Sequence, residues 1–214
     1  MIIHRVEQNT SDWLKLHVGI PTASGLSQLV DGDFEFRKGE MPRTYLHKKL
    51  AEKYRGQPLI TLGSSGSFST DQGMILEEEA VPWFILEYET PVDRVGFITT
   101  DDEGFGCSPD GLLVGKECGL ELKAPAAHTH VKYLIEGRLP PEYAAQVYGS
   151  MFVTGFKEWI FCSYRRGFPP FKLTIQRDET IMQKIAIALA RFHANFALGF
   201  AQLQSYNHED SDGQ

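Results

Sequence analysis

A chain of 214 residues with 42% hydrophobic content can bury one substantial core, so a single domain with helical additions is expected. Its net charge of −7 argues against a non-specific nucleic-acid coat, which is usually strongly basic, but leaves room for an enzyme that meets DNA through local basic clusters. No apolar run reaches the roughly 20 residues of a membrane span, no signal peptide precedes the polar residues after Arg5, and Cys107, Cys118 and Cys162 lack metal-type spacing, so a cytosolic protein with reduced core thiols is expected.

Asn9-Thr10-Ser11-Asp12 reads as the cap of a short helix through Trp13-Leu14-Lys15-Leu16. Pro21-Thr22-Ala23-Ser24 opens another, running to about Val30, and the charged segment from Asp31 to Met41 reads as a mobile loop. Pro42 starts a helix to about Tyr54, with Leu46, Leu50 and Ala51 facing inward. Gly63-Ser64-Ser65-Gly66-Ser67 reads as a linker or lid; it is not a P-loop, because no Gly-Lys-Ser/Thr follows. From Thr70 to Glu89 the pattern is helical, with Pro82 expected to kink or restart it. Strands follow at about 94–100, 110–114 and 118–123, helices at about 127–136 and 141–153, and strands at about 157–164 and 171–176. A long amphipathic helix from Asp178 to about Tyr206 carries Ile181, Ile185, Leu189, Phe192, Phe196 and Phe200 as a core or subunit-contact stripe. The expectation is an α/β protein with a mixed central sheet flanked by helices: one domain over 1–206, then a disordered tail over 207–214.

The chemistry concentrates at Ser108-Pro109-Asp110-Gly111 and Gly119-Leu120-Glu121-Leu122-Lys123. The second stretch alternates with a period of two, so Glu121 and Lys123 share one strand face while Leu120 and Leu122 take the other. A hairpin through Gly115-Lys116-Glu117 would return Asp110 to Glu121. Two carboxylates and a lysine at one point suit a divalent cation and an activated water. Taken separately, an Asp-Gly turn and a Glu-x-Lys strand are ordinary surface features; their order and spacing are less common, and with the flanking stretches considered below catalysis becomes the better reading. The basic residues Arg43, His47, Lys48, Lys49, Lys53 and Arg55, and the pair Arg165-Arg166, each read alone as a solvated face. His128 and His130 have ligand-pair spacing but read as surface residues at the start of a helix.

With these residues in view, the chain resembles the PD-(D/E)xK nuclease superfamily and, more closely, the lambda exonuclease or viral recombinase family. The likeness is carried in order by Trp13 to Ser24, Gly73 to Ala80, Cys107 to Leu112, Gly119 to Pro125 and Tyr143 to Met151. The resemblance implies a restriction-endonuclease-like core and a magnesium-dependent 5′→3′ exonuclease. Its substrate would be linear double-stranded DNA with a 5′-phosphate end; its products, 5′-mononucleotides and a 3′ single-stranded tail for recombination by strand annealing. It implies that Asp110, Glu121 and the Leu122 carbonyl hold one or two Mg2+ ions, with Mn2+ able to substitute. Glu77 would be a helical acid completing the second metal position or its water shell. Lys123 would be the base or the charge stabiliser. Ser24, Ser108 and Gln146 would contact the terminal phosphate. It further implies a ring-shaped homotrimer, a single-strand annealing protein as partner, no membrane, and a phage or prophage protein in a bacterial cytoplasm. One position departs: where the family commonly has an arginine, this chain has His17, which is shorter and only partly charged at neutral pH. Either phosphate binding is weaker and pH-dependent, or another base such as Arg43 substitutes. Two other readings stand beside this one. An endonuclease or structure-specific nuclease of the same core would cut closed circular duplex. A non-catalytic DNA-binding subunit would have no physical need to keep two acids together.

Overall fold

A five-stranded mixed sheet organises the computed structural model, which describes residues 1–59 and 71–209, the side chains of 71–78 and 207–209 excepted. In chain order the elements are β1 (Ile2–His4), α1 (Ser11–Leu16), a 3-10 helix (Ala23–Gln28), α2 (Glu40–Arg55), α3 (Asp71–Tyr88), β2 (Val92–Asp93), β3 (Phe97–Thr99), β4 (Gly106–Cys107), β5 (Gly111–Leu113), β6 (Cys118–Lys123), α4 (Ala127–Glu136), α5 (Pro141–Thr154), β7 (Glu158–Ser163), β8 (Phe171–Gln176) and α6 (Glu179–Glu209). The main sheet has the order β2-β5-β6-β7-β8, and a smaller one the order β1-β3-β4. Among the described residues only β6 and β7 pair in parallel within the main sheet, with Glu121 beside Phe161 and Lys123 beside Ser163. A parallel pair needs a crossover, and α4 and α5 supply it.

The expected hairpin forms: Gly111 pairs with Leu120 and Leu112 with Gly119. The period-two reading of β6 also holds. Leu120 and Leu122 pack with Ala80, Val81 and Phe84 of α3 in one apolar cluster, while Glu121 faces the α5 side. On that side Trp159 lies across Gly119, where a Cβ would come within 2.3 Å of the indole. Gly149 plays the same part for α5. A Cβ there would sit 3.1 Å from Ala23 and Leu26, so the missing side chain lets α5 close on the 3-10 helix. Val147 and Met151, both fully buried, belong to the core cluster this contact seals.

Several expectations need correction. The segment after Pro21 is a 3-10 helix ending at Gln28. The residues that follow are tied down rather than loose: Arg37 donates its backbone N–H to the Leu29 carbonyl, and buried Phe34 packs edge-on against Tyr148. α2 starts at Glu40, before Pro42. α3 runs through Pro82 without a break. Proline removes one helical hydrogen bond, but Ala80, Val81 and Phe84 anchor both sides of it against the sheet. β1, β2 and β4 are too short to show alternation. α6 continues to Glu209, so residues 207–209 prolong the helix; 210–214 and the linker at 63–67 lie outside the described residues. All three cysteines are buried free thiols, as expected, and burial pushes that of Cys162 up to about 12. Among the described residues no helix is long and apolar enough to cross a membrane.

Candidate active site

Asp110 enters the site from the turn before β5. Its backbone N–H donates to the Leu120 carbonyl at 3.1 Å, and its Oδ2 accepts the Leu122 N–H at 2.6 Å. Those bonds lay the carboxylate across β6 beside Glu121. Gln8 fixes the turn from behind, its amide donating to the carbonyls of Pro109 at 2.9 Å and Val95 at 3.1 Å. The Glu121 side chain is only 2% exposed. Its Oε1 accepts from the Gln146 amide at 2.6 Å and from Lys123 Nζ at 2.5 Å. Its Oε2 is buried and, among the described residues, unpartnered. Lys123 keeps 26% of its side chain exposed and sits 5.3 Å from the centre of the Tyr143 ring, near enough for a cation–π contact.

The electrostatics follow from crowding charge into a buried corner. Burial raises Glu121 to about 7, and the Asp110 charge adds to it, against the pull of Lys123 and the Gln146 hydrogen bond. Burial likewise holds Asp110 above the usual carboxylate range, although Lys123, the Leu122 N–H and Arg94 pull it down. Burial alone would lower Lys123, but Glu121 and Asp110 more than offset it, and the ammonium stands above the ordinary lysine value. An orphaned buried carboxylate oxygen beside a second carboxylate is what a hard divalent cation satisfies. The donor set fits such an ion: Asp110, Glu121 and the Leu122 backbone carbonyl, with the shortfall made up by water, as magnesium tolerates. Among the described residues no cluster of three or more His, Cys, Asp or Glu side chains could hold a metal. Glu77 lies in α3, but its side chain is outside the described residues.

Of the residues expected at the terminal phosphate, Gln146 is tied directly to Glu121, and the others are placed by contacts of their own. The Ser108 hydroxyl accepts the Trp13 indole N–H at 3.0 Å and lies 3.4 Å from His17 Nε2. Ser24 is exposed, its hydroxyl 3.2 Å from that of Thr22. Its neighbour Ala23 packs against Gly149 of α5, three residues along from Gln146. His17 is not the partly charged base expected. Its Nδ1 lies 2.7 Å from the Trp13 carbonyl, which can only accept, so that nitrogen carries the proton. Trp13 and Phe97 each pack 4.1 Å from the ring, and burial lowers its pKa to about 4. Arg43 is not brought to His17. It sits exposed on the first turn of α2, paired with Glu40 at 3.0 Å. The residue of α2 that does reach His17 is Lys49, six positions or about 9 Å further along the helix.

Folding the neutral imidazole has a measurable consequence. Because the folded pKa is depressed, the stabilisation is complete above about 6.5 and is lost as pH falls toward 4, where the unfolded chain takes a proton that the folded one resists. Between pH 7 and 4 the protein should lose about 3 kcal/mol more stability than His17→Gln, which cannot titrate. Chemical denaturation across that range and an NMR titration of the imidazole check it; a midpoint near 6.5 would count against the burial.

Other residues depart from their sequence readings. Lys49, taken as part of a solvated face, is 6% exposed, with Nζ 2.9 Å from Glu52 and 3.2 Å from the His17 carbonyl; Glu52 also accepts the Gly19 N–H at 3.2 Å. His130, read as a surface residue, is fully buried between Ser163 at 2.7 Å and the Pro169 carbonyl at 2.9 Å, fastening the β7–β8 connection; His128 is exposed. Arg166 keeps its reading as part of a solvated face, exposed and paired with Glu79 at 2.6 Å, while Arg165 reaches the Pro125 carbonyl at 3.4 Å. Gln8, Trp13 and Tyr143 receive no role from the sequence, although Trp13 and Tyr143 stand in stretches that carry the likeness, because each acts through a contact made only in the fold.

A mixed sheet presenting two acids and a lysine at its centre, roofed by the crossover helix, is the alkaline exonuclease fold. The chain is similar to the crystal structures of an alkaline exonuclease from Laribacter hongkongensis, alone and in complex with dAMP, at 26% identity and a TM-score of 0.81, covering 94% of this chain and 99% of that one. A phage-related exonuclease from Haemophilus somnus shares the fold at 13% identity, with a TM-score of 0.64 over 86% of this chain and 96% of its own. No curated protein matches the chain. The model of the YqaJ-like viral recombinase domain matches residues 12–157, and the chain belongs to that family.

Proposed function

We propose that the protein is a magnesium-dependent 5′→3′ exonuclease that degrades one strand of linear duplex DNA from a 5′-phosphorylated end, giving 5′-mononucleotides and a 3′ single-stranded tail. The observation that carries this reading is the buried, unpartnered Oε2 of Glu121 beside Asp110 and Lys123. The alkaline exonuclease similar to this chain has been crystallised with dAMP, which supports a mononucleotide product.

Asp110, Glu121 and the Leu122 carbonyl would hold magnesium, with Glu77 a further candidate; bound there, the ion acidifies water and offsets charge developing on phosphorus. The remaining work belongs to side chains. The Leu122 N–H fixes Asp110, and Gln146 fixes Glu121. Lys123 is the cationic group of the cluster that also meets solvent, so it can orient the attacking water or neutralise the phosphate as the P–O bond breaks. Tyr143 packs against its ammonium. Ser24 and Gln146 carry donors for an end phosphate, whereas the Ser108 hydroxyl, set between the Trp13 indole and His17 Nε2, donates to a phosphate only by turning away from His17. His17 contributes by positioning Ser108 rather than by charge, since its protonated nitrogen is spent on Trp13. A homotrimeric ring and a strand-annealing partner belong to the same reading, supported by family membership.

The test is digestion of end-labelled linear duplex, with 5′-phosphate or 5′-hydroxyl termini, in magnesium or in chelator, beside closed circular duplex. Release of 5′-mononucleotides from phosphorylated linear ends in magnesium alone is expected, with the circle intact. Cutting of the circle would replace the exonuclease reading with an endonuclease; loss of DNA in chelator would remove the metal.

A further inference from the structure

Away from the hydrolytic centre, a cleft of about 280 Å³ opens between the start of α2, the segment before it and the middle of α6. Four cations line it, Arg37, Lys38, Arg43 and Arg191, over an apolar floor that includes Phe36 and Phe192. In a chain of net charge −7 this is a local reversal of sign. Among the described residues, Arg37, Lys38 and Arg191 form no salt bridge, and only Arg43 has one, with exposed Glu40. Two of the guanidiniums are held in place. Arg37 donates Nε to the carbonyls of Ser27 at 2.8 Å and Val30 at 2.7 Å, leaving its two Nη groups for a ligand. Arg191 lies over the Phe36 ring, its guanidinium carbon 4.4 Å from the centre, a cation–π contact that restrains it.

Fixed planar forks match phosphate oxygens in pairs. Arg191 also lies over the Phe36 ring, which leaves less of that ring for a base or an aromatic peptide side chain and favours a ligand recognised by charge. The cleft adjoins the C-terminal end of the 3-10 helix through Arg37, while Ser24 lies toward the other end. At about 2 Å rise per residue the two are of order 10 Å apart, about three base-pair steps along a duplex axis. We propose that this cleft is a second DNA contact, gripping the phosphodiester backbone of the duplex beyond the nucleotide being removed. It rests on the nuclease reading above.

The test is equilibrium binding of a short fluorescent duplex in chelator, so that nothing is cut, across about 50–200 mM salt. The double variant Lys38→Gln, Arg191→Gln alters two exposed side chains, and an unchanged melting temperature confirms that it folds. The slope of log affinity against log salt should become shallower by about 1.8, at about 0.9 for each phosphate no longer neutralised, with affinity down about tenfold at the middle of the range. An unchanged slope, or no binding by the unaltered protein, overturns the inference. So does a variant that keeps its DNA affinity but loses binding to a polyglutamate peptide, which would make the cleft a protein-docking site. Failures separate cleanly: DNA digestion with an unchanged slope sinks the cleft alone, and a shallower slope without digestion sinks the nuclease reading alone.

Discussion

Glu121→Gln should abolish hydrolysis and yet make the metal-free protein harder to melt. Glutamine keeps an oxygen for the Gln146 amide to donate to, so the geometry of that bond survives. What disappears is a carboxylate charge forced into a site where burial and Asp110 both oppose it. Relief of that burden should be worth about 1–3 kcal/mol, several degrees in melting temperature for a domain of this size. Activity on linear duplex should fall at least about 10³-fold, because the charge that opposes folding is the one that would hold the cation. Thermal melting in chelator and single-turnover digestion in magnesium check the two halves. A variant as active as the parent would remove Glu121 from the site. A much less stable one would show that Lys123 depends on its partner more than the charge balance allows.

The second large effect is expected far from the acids. Lys49→Met leaves the Glu52 carboxylate, 4% exposed, without its cation. Removing one partner of a buried ion pair costs about 3–5 kcal/mol, roughly 10 °C here. The double variant Lys49→Met, Glu52→Leu should regain most of that loss, since an apolar pair of similar volume leaves no stranded charge. The Gly19 N–H still loses its acceptor, so recovery should be incomplete. A double-mutant cycle by denaturant melts measures the coupling. If the double variant is no more stable than the single one, the ion pair is not what ties the His17–Gly19 turn to α2.

What the sequence made legible was whatever depends on neighbours along the chain. The Asp110–Glu121 hairpin announced itself because alternation over β6 and the turn at Gly115 are both local, and they leave little freedom in where the acids meet. The Thr10 cap was readable for the same reason: its hydroxyl accepts from Trp13, three residues on. Apart from helix bounds such as the start of α2, the failures concern what a side chain meets across the fold. Lys49 and His130 look like solvated residues until α2 is laid against the His17 turn and α4 against the β7–β8 connection. His17 looks titratable until Trp13 and Phe97 close over it. The 3-10 helix hides because its cohesion comes from α5 at Gly149 rather than from its own spacing.

The parallel pairing of β6 with β7 bears on how such an enzyme is made. A ribosome delivers Asp110, Glu121 and Lys123 well before Gln146, and the strand that flanks β6 on its other side comes later still. A partly synthesised chain therefore carries the acids without the amide that steadies Glu121 or the helix that roofs it. On the nuclease reading, chemistry able to cut chromosomal DNA is withheld until the crossover has folded back, a safeguard set by connectivity alone and needing no separate inhibitor.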